Sequence, residues 1–397
     1  MSYVDIAALE GGDASAALTP KLLTFETAPS RARRVLRSGD TVLSTVRTYL
    51  KAVANFPEAQ PGLIASTGFA VLRPNGRLRP RFAYWAALSE PFIENVVAHS
   101  EGVSYPAINP SVLGSLHLPV PSLTEQERIA NFLDDKTARI DALIAEKERL
   151  VEHLDAGGFD LLHQAVTKGL KPTRLTNSRR EWMGAIPEHW SAPYIKFVAQ
   201  VESGHTPSRQ VPEYWENCHI PWFGLSDVWQ IRDGVKEVVA ETSELISDLG
   251  LANSSARLLP SGTVILSRTA SVGFSAIMGV PMATTQDFVN WICGPKVLPD
   301  YLLYVFRSMR SEFERLKFGS THSTIYMPDI AKMALPLPPL EEQREIVAFA
   351  RERKKRLEEL KGFATAELMK LREYRTSLIS AAVAGQLDVG SFEAAKA

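Results

Sequence analysis

The strongest constraint on this chain is an internal repeat. Residues 116–170 align without a gap on residues 333–387, at a constant offset of 217. LHLPVPSLTEQERIANFL in the first copy answers MALPLPPLEEQREIVAFA in the second. Identities include Leu118/Leu335, Pro119/Pro336, Pro121/Pro338, Leu123/Leu340, Glu125/Glu342, Gln126/Gln343, Ile129/Ile346 and Phe132/Phe349. The match returns at Leu161/Leu378, Ala165/Ala382, Val166/Val383 and Leu170/Leu387. Any fold must therefore accommodate one unit twice.

Each copy reads as a proline-bounded extended entry followed by a long helix. Pro119 and Pro121 cannot sit inside a helix, so helix is expected from near Thr124. Leu133, Lys136, Ile140, Leu143, Lys147, Leu150 and Leu154 step by three and four, which gives a heptad seam. Ala350, Arg353, Leu357, Leu360, Ala364, Glu367, Leu371, Tyr374 and Leu378 keep that phase in the second copy. Gly157-Gly158 is expected to weaken or kink the first helix. Each helix would span roughly 60 Å, and the two are expected to pair as an antiparallel coiled coil.

The chain before each helix differs in kind. Short β-rich runs such as Thr41–Leu43, Thr263–Leu266 and Phe288–Ile292 alternate with glycine, proline and serine. A helix is expected over Pro299–Leu316. The two regions echo one another. SGDTVLS at 38–44 resembles SGTVILS at 261–267, and each precedes a basic residue, Arg47 or Arg268. YPAINPSVLGSLHLP at 105–119 resembles STIYMPDIAKMALP at 323–336. The echo stops at about 181–219, which have no counterpart before Met1. The expected fold class is mixed α/β: a globule at 1–115, a repeat helix at 116–171, a globule at 172–332, a second repeat helix at 333–390 and a tail at 391–397.

Net charge is −1, so nucleic-acid contact would have to come from local patches. Two distant cysteines, Cys218 and Cys293, make no metal spacing and suit a reducing cytoplasm. No signal-peptide pattern opens the sequence, and no run approaches the roughly 20 apolar residues of a membrane span.

Two globules, each followed by LPxPxLxEQ and a long helix, resemble the specificity subunits of Type I restriction–modification systems. EWMGAIPEHW at 181–190, SGHTPSR at 203–209, HIPWFGLSD at 219–227, SGTVILSR at 261–268 and GSTHSTIYMPDIAKMALPLPPLEEQ at 319–343 resemble signatures of that family. The resemblance covers essentially the whole chain. It implies two target-recognition domains, each reading half of a split double-stranded DNA site. It implies helices that set the spacing and bind methyltransferase subunits, with restriction/translocase subunits joining through the complex. It places S-adenosylmethionine, ATP and Mg with those partners, and no cofactor in this chain.

Candidate DNA contacts follow. Gly204, His205, Thr206, Pro207, Ser208 and Arg209 form a donor-rich turn that could approach phosphates or base edges, or be an ordinary surface loop. Arg268 and Arg47 follow strand-like runs and could fork onto guanine, or be solvated strand ends. Arg31, Arg33, Arg34 and Arg37 with Lys51 form a basic patch, or a solvated helix face. Thr321 and His322, within Gly319–His322, could line a groove or end a helix. Trp182, Trp190 and Trp222 could stack on bases, but their apolar neighbours favour the core. Ile140, Leu143, Leu150, Leu154, Leu357, Leu360, Leu371 and Leu378 are the candidates for helix pairing or partner binding.

No GxxxxGK[ST] loop, no Asn/Asp-Pro-Pro-aromatic run, no glycine-rich S-adenosylmethionine loop and no hydrolase triad is present. The chain is expected to be non-catalytic. Two other readings stand beside DNA specificity: a coiled-coil adaptor that ignores DNA, and a truncated specificity subunit without function.

Overall fold

The computed structural model describes residues 1–9, 20–319 and 323–390. The chain divides into two compact units, Met1–Val151 with Gly362–Ala397 and Glu152–Lys361. Both long helices, Leu123–Lys168 and Leu340–Val383, contribute to both units.

In the first unit, Asp40–Ser44 pairs antiparallel with Val53–Phe56 and Phe69–Leu72. All five residues of this central strand are buried, the polar Asp40, Thr41 and Ser44 included, with Val42 and Leu43 packed into separate apolar clusters. Ser2–Val4 runs parallel to Leu63–Ser66, flanked by Lys21–Leu22 and Ala32–Val35. The basic patch thus begins in a strand and not on a helix face. Helices Pro80–Leu88, Glu90–Ala98 and Pro110–Ser115 follow, each with proline in its first turn, where no backbone N–H is needed.

The second unit repeats this plan and adds to it. Val264–Ser267 pairs antiparallel with Ser275–Met278 and Phe288–Cys293, and Ile220–Phe223 runs parallel to Ala283–Thr284. Ala199–Ser203 extends the sheet beyond Phe288–Cys293, and Leu175–Asn177 pairs with Ala185–Pro187. These additions fall in or beside residues 181–219. The helix expected over Pro299–Leu316 is interrupted at Met309 into Pro299–Ser308 and Arg310–Leu316. Trp182, Trp190 and Trp222 are core residues.

The LPxPxLxEQ motif joins globule to helix through its glutamine. Gln126 is fully buried. Its Nε2 donates to the carbonyls of Arg77 (3.0 Å) and Pro121 (2.9 Å), and its Oε1 accepts from the Arg79 amide (2.8 Å). Gln343 repeats this three-way clasp on Lys296, Pro338 and Leu298, at 2.9 Å each. The motif is therefore a satisfied buried polar joint, costly to break.

The long helices run antiparallel within each unit. In the first, Asp141 binds Arg375 (2.6 Å), Lys147 binds Glu367 (2.6 Å) and Glu148 binds Arg372 (2.6 Å). In the second, Asp155 binds Lys361 at 2.8 Å. The first helix passes uninterrupted through Gly157-Gly158, contrary to the expected weak point. A Cβ on Gly158 would lie 2.7 Å from Leu357 Cδ1, so the glycine admits the facing leucine.

The seam itself departs from the expected register in a regular way. Ile140 and Leu378 are buried, and Leu154, Leu357 and Leu371 are partly buried. Leu143, Leu150 and Leu360 are over 40% exposed and lie off the seam. The intervening positions are Thr137, Ile144 and Val151 on one helix, and Lys354, Lys361, Leu368 and Arg375 on the other. Neighbours three and four residues away share a helix face, and counting leucines selects the wrong one. Lysine and arginine occupy the true seam by laying their stems along it and sending their charge to Glu237, Asp155 or Asp141.

Candidate nucleic-acid interface

In the second unit, three segments converge on the turn Thr285-Gln286-Asp287. Gly204 packs so closely that an added Cβ would stand 2.1 Å from the Thr285 carbonyl oxygen and 2.3 Å from that of Thr284. Only glycine permits this approach. The His205 amide then donates to the Thr284 carbonyl (3.0 Å), and the Thr206 hydroxyl donates to Gln286 Oε1 (2.7 Å). Pro207 is buried, while His205, Ser208 and Arg209 are exposed.

Arg209 is not a free guanidinium. It lies 3.7 Å from the centre of the Trp215 ring and 5.4 Å from that of Trp222, and is paired with Glu244. Trp222 Nε1 in turn donates to the His205 carbonyl (3.2 Å), so the arginine and the indoles hold the loop together.

Arg268 braces the second segment. Its amide donates to the Asp287 carbonyl (2.8 Å), its Nε to the Gln286 carbonyl (3.0 Å) and its Nη1 to the Ile325 carbonyl (3.4 Å). The side chain spends two of five N–H donors on the scaffold. The third segment is anchored by Thr324, which pairs with Phe318 and Thr269. Gly319 and Ser323 bracket this segment, and Thr321 and His322 lie outside the described residues.

The first unit contains the same junction. Thr45 donates its amide to the Gly68 carbonyl (2.9 Å), and Ile108 donates to the Thr45 carbonyl (2.9 Å). These bonds match those of Arg268 to Asp287 and of Ile325 to Arg268. Val46 pairs with Ala107, and Glu101 with Ala107, as Thr269 and Phe318 pair with Thr324. The counterpart of Arg268 is thus Thr45. Arg47 matches Ala270 instead, both in left-handed backbone with φ of 50° and 58°. The expected equivalence of Arg47 with Arg268 is two residues out of step: the strand echo itself sets Ser44 on Ser267 and Thr45 on Arg268, and Arg47 is only the first basic residue after its strand. The Arg47 guanidinium stands 5.0 Å from the Tyr105 ring centre, and Lys51 reaches Glu90 at 3.8 Å. Val103 and Tyr105 are exposed beside Gly102, which has the positive φ of its counterpart Gly319. Thr67 donates its amide to the Arg31 carbonyl (2.8 Å), which places the basic strand at this junction.

Gln286, Thr67 and Tyr105 are the members that sequence reasoning passed over. Gln286 and Thr67 stand in the turns Thr285-Gln286-Asp287 and Ser66-Thr67-Gly68, where no residue type signals a site. Gln286 is exposed, and its amide NH2 has no hydrogen-bond partner among the described residues. Among those residues no group of three His, Cys, Asp or Glu is placed to hold a metal, and no helix is long and apolar enough to cross a membrane.

Charge between the globule of the second unit and its long helix is concentrated at Glu237. Burial pushes this carboxyl up. Hydrogen bonds from Tyr304 and Arg351, with the charges of Lys354 and Arg351, outweigh burial and hold it below its ordinary value. A carboxylate depressed in the folded state adds stability above its unfolded pKa and loses it as pH falls through the folded one. Glu237→Gln is therefore expected to flatten the loss of stability between about pH 5 and pH 3. Urea unfolding across that range checks it; an unchanged slope would refute it.

Comparison with known proteins gives a consistent pattern. The family model for the Type I restriction modification DNA specificity domain matches residues 33–153 and 187–360. The MjaIX specificity subunit of Methanocaldococcus jannaschii, a Type I restriction enzyme component, is 30% identical over 166 residues, spanning 41% of this chain and 38% of that one. The chain thus matches well under half of that relative's length. The MjaVIII specificity subunit of the same organism is 22% identical over 339 residues, 83% of this chain and 75% of that one. A solved structure described as the basis of complex assembly and conformational transition of the type I R-M system superposes with a TM-score of 0.76 at 25% identity, covering 97% of this chain and 92% of that one. The HsdS subunit from Thermoanaerobacter tengcongensis superposes with a TM-score of 0.55 at 25% identity, covering 97% and 90%.

Proposed function

Because the chain belongs to the Type I restriction modification DNA specificity domain family, whose members are non-catalytic specificity subunits, we propose that it reads a bipartite double-stranded DNA site, one half with each unit. The observation that carries this reading is the duplicated junction, built once on Thr45, Thr67 and Gly102 and once on Arg268, Gln286 and Gly319. Each offers an exposed polar or aromatic surface on a backbone scaffold held by matching hydrogen bonds. Rigid scaffolds carrying variable surface residues suit base recognition.

The second junction reads bases chiefly through Gln286, whose amide matches the edge of adenine, with His205 and the remaining donors of Arg268 beside it. Arg209 acts by holding its loop against Trp215 and Glu244. In the first unit Arg31, Arg33 and Arg34 supply phosphate contacts, and Arg47 with Tyr105 borders the bases. The long helices bind methyltransferase subunits through faces that the seam leaves open, including Leu143, Leu150 and Leu360. Restriction/translocase subunits join through that complex in the cytoplasm. S-adenosylmethionine, ATP and Mg belong to those partners.

The test is methylation mapping in cells that carry this chain with its partner subunits. A split modified motif is expected, and a continuous motif or none would refute the reading. Gln286→Ala is expected to relax one half-site, at about 1–3 kcal/mol of discrimination, and to leave the other intact. Arg33→Ala should weaken binding on all sequences alike and reduce the salt slope by about 1. Competition binding at several salt concentrations separates the two variants.

A further inference from the structure

The junction between globule and long helix is built twice with its charges reversed. The glutamine clasps align the two copies: Arg79 of the first corresponds to Leu298 of the second, and Pro80 to Pro299, each proline opening a helix. One residue further on, Arg81 corresponds to Asp300. On the long helices, Asp134 corresponds to Arg351 by the repeat offset of 217. In the first unit Arg81 on the globule forms an ion pair with Asp134 on the helix. In the second, Asp300 on the globule forms an ion pair with Arg351 on the helix.

The surroundings reinforce both polarities. Trp85 Nε1 donates to Asp134 at 2.8 Å, and Arg81 Nε reaches the same carboxylate at 3.2 Å. In the second copy Glu237 adds another acid beside Arg351 at 3.0 Å, while Tyr304, the counterpart of Trp85, donates to Glu237 at 2.5 Å.

We infer that this reversal is a key that restricts which globule each helix accepts. The glutamine clasp is the same in both copies and cannot discriminate between them. The ion pair can. A second globule docked on the first helix would set Asp300 against Asp134. A first globule docked on the second helix would set Arg81 against Arg351. Both native pairings are attractive and both crossed pairings repel, which is how a repeated frame avoids exchanging its parts. The partner this surface selects is a globule with a basic residue one position after the helix-opening proline for the first helix, and an acidic one for the second. Each pair is about one-third to one-half exposed, so the key acts through the difference between pairings more than through stability.

The full-length chain tests this in two ways. Asp134→Arg and Arg351→Asp each place like charges at one junction. Each is expected to lower Tm by about 2–4 °C. Adding Arg81→Asp to the first, or Asp300→Arg to the second, is expected to recover most of that shift. Doubles no more stable than the sum of their singles would overturn the proposal. A chain with its two globules exchanged is the direct test. It should fold cooperatively with Asp134→Arg and Arg351→Asp on the helices, and poorly with native helices. Equal folding on either set of helices would overturn the key. If neither exchanged chain folds, the reversal series decides alone: recovery in the doubles upholds the key, and additivity refutes it.

Discussion

Gln343→Leu is expected to destabilise the second unit by about 3–5 kcal/mol, a large share of a domain's total. The substitution keeps bulk and removes every polar function. The Leu298 amide and the carbonyls of Lys296 and Pro338 would then lose their side-chain partner, at Pro338 in a buried setting and at the other two in a partly buried one. Each unsatisfied buried group costs about 1–3 kcal/mol, partly relieved where water can enter. Gln126→Leu should act likewise on the first unit. Because the units are compact separately, two transitions should appear, each variant shifting one of them. Calorimetry on both variants checks this. A loss below about 1 kcal/mol would mean that the clasp is not a joint.

Leu143→Pro combined with Leu360→Pro is expected to abolish capture of methyltransferase subunits. Proline removes a backbone bond and clashes with the preceding turn, at about 3 kcal/mol or more for each helix. The effect on helix pairing belongs to the backbone and not to the leucine side chains, which lie off the seam. Leu143→Ala and Leu360→Ala thus form the informative control. They should leave helix pairing intact, and any partner loss they cause would assign the exposed leucines to the docking face. Co-purification from cells expressing all subunits reads both outcomes. Normal recovery with the double proline variant would remove the long helices from the assembly role.

The parts of the fold that were legible in sequence are those governed by local chemistry. Proline marked the entry to each long helix, and short runs around Val42-Leu43 and Val264–Leu266 marked the central strands at Asp40–Ser44 and Val264–Ser267. The repeat located the glutamines, although nothing in their identity showed a buried clasp. The seam was read correctly at every seventh residue and wrongly between, because Lys354, Lys361 and Arg375 look like surface residues. Their long stems make them compatible with a seam, and their acidic partners come from distant sequence. The candidate interface was half legible. Gly204 and Arg268 were read as direct DNA contacts, and nothing in their residue type showed that both are tied to the backbone of Thr284, Thr285, Gln286 and Asp287. Arg47 was matched to Arg268 as the next basic residue after each strand, although the strand echo and the tertiary structure both set Thr45 there. Charge reversal was not legible, because Arg81 and Asp300 lie outside the repeat and Asp134 and Arg351 inside it share no chemistry.

The division of the chain has a consequence for its synthesis. The second unit is one continuous stretch, Glu152–Lys361, whereas the first needs residues from both sides of it. Leu378, Ile379, Ala382 and Val383 complete the core that packs on Phe82, Trp85 and Phe92. On a ribosome adding about 5–20 residues per second, that core stays open until the whole second unit has been made, an interval on the order of 10–40 s. The unit encoded first is therefore the one that closes last. Its half-built apolar face is the segment of this protein most dependent on protection while translation proceeds.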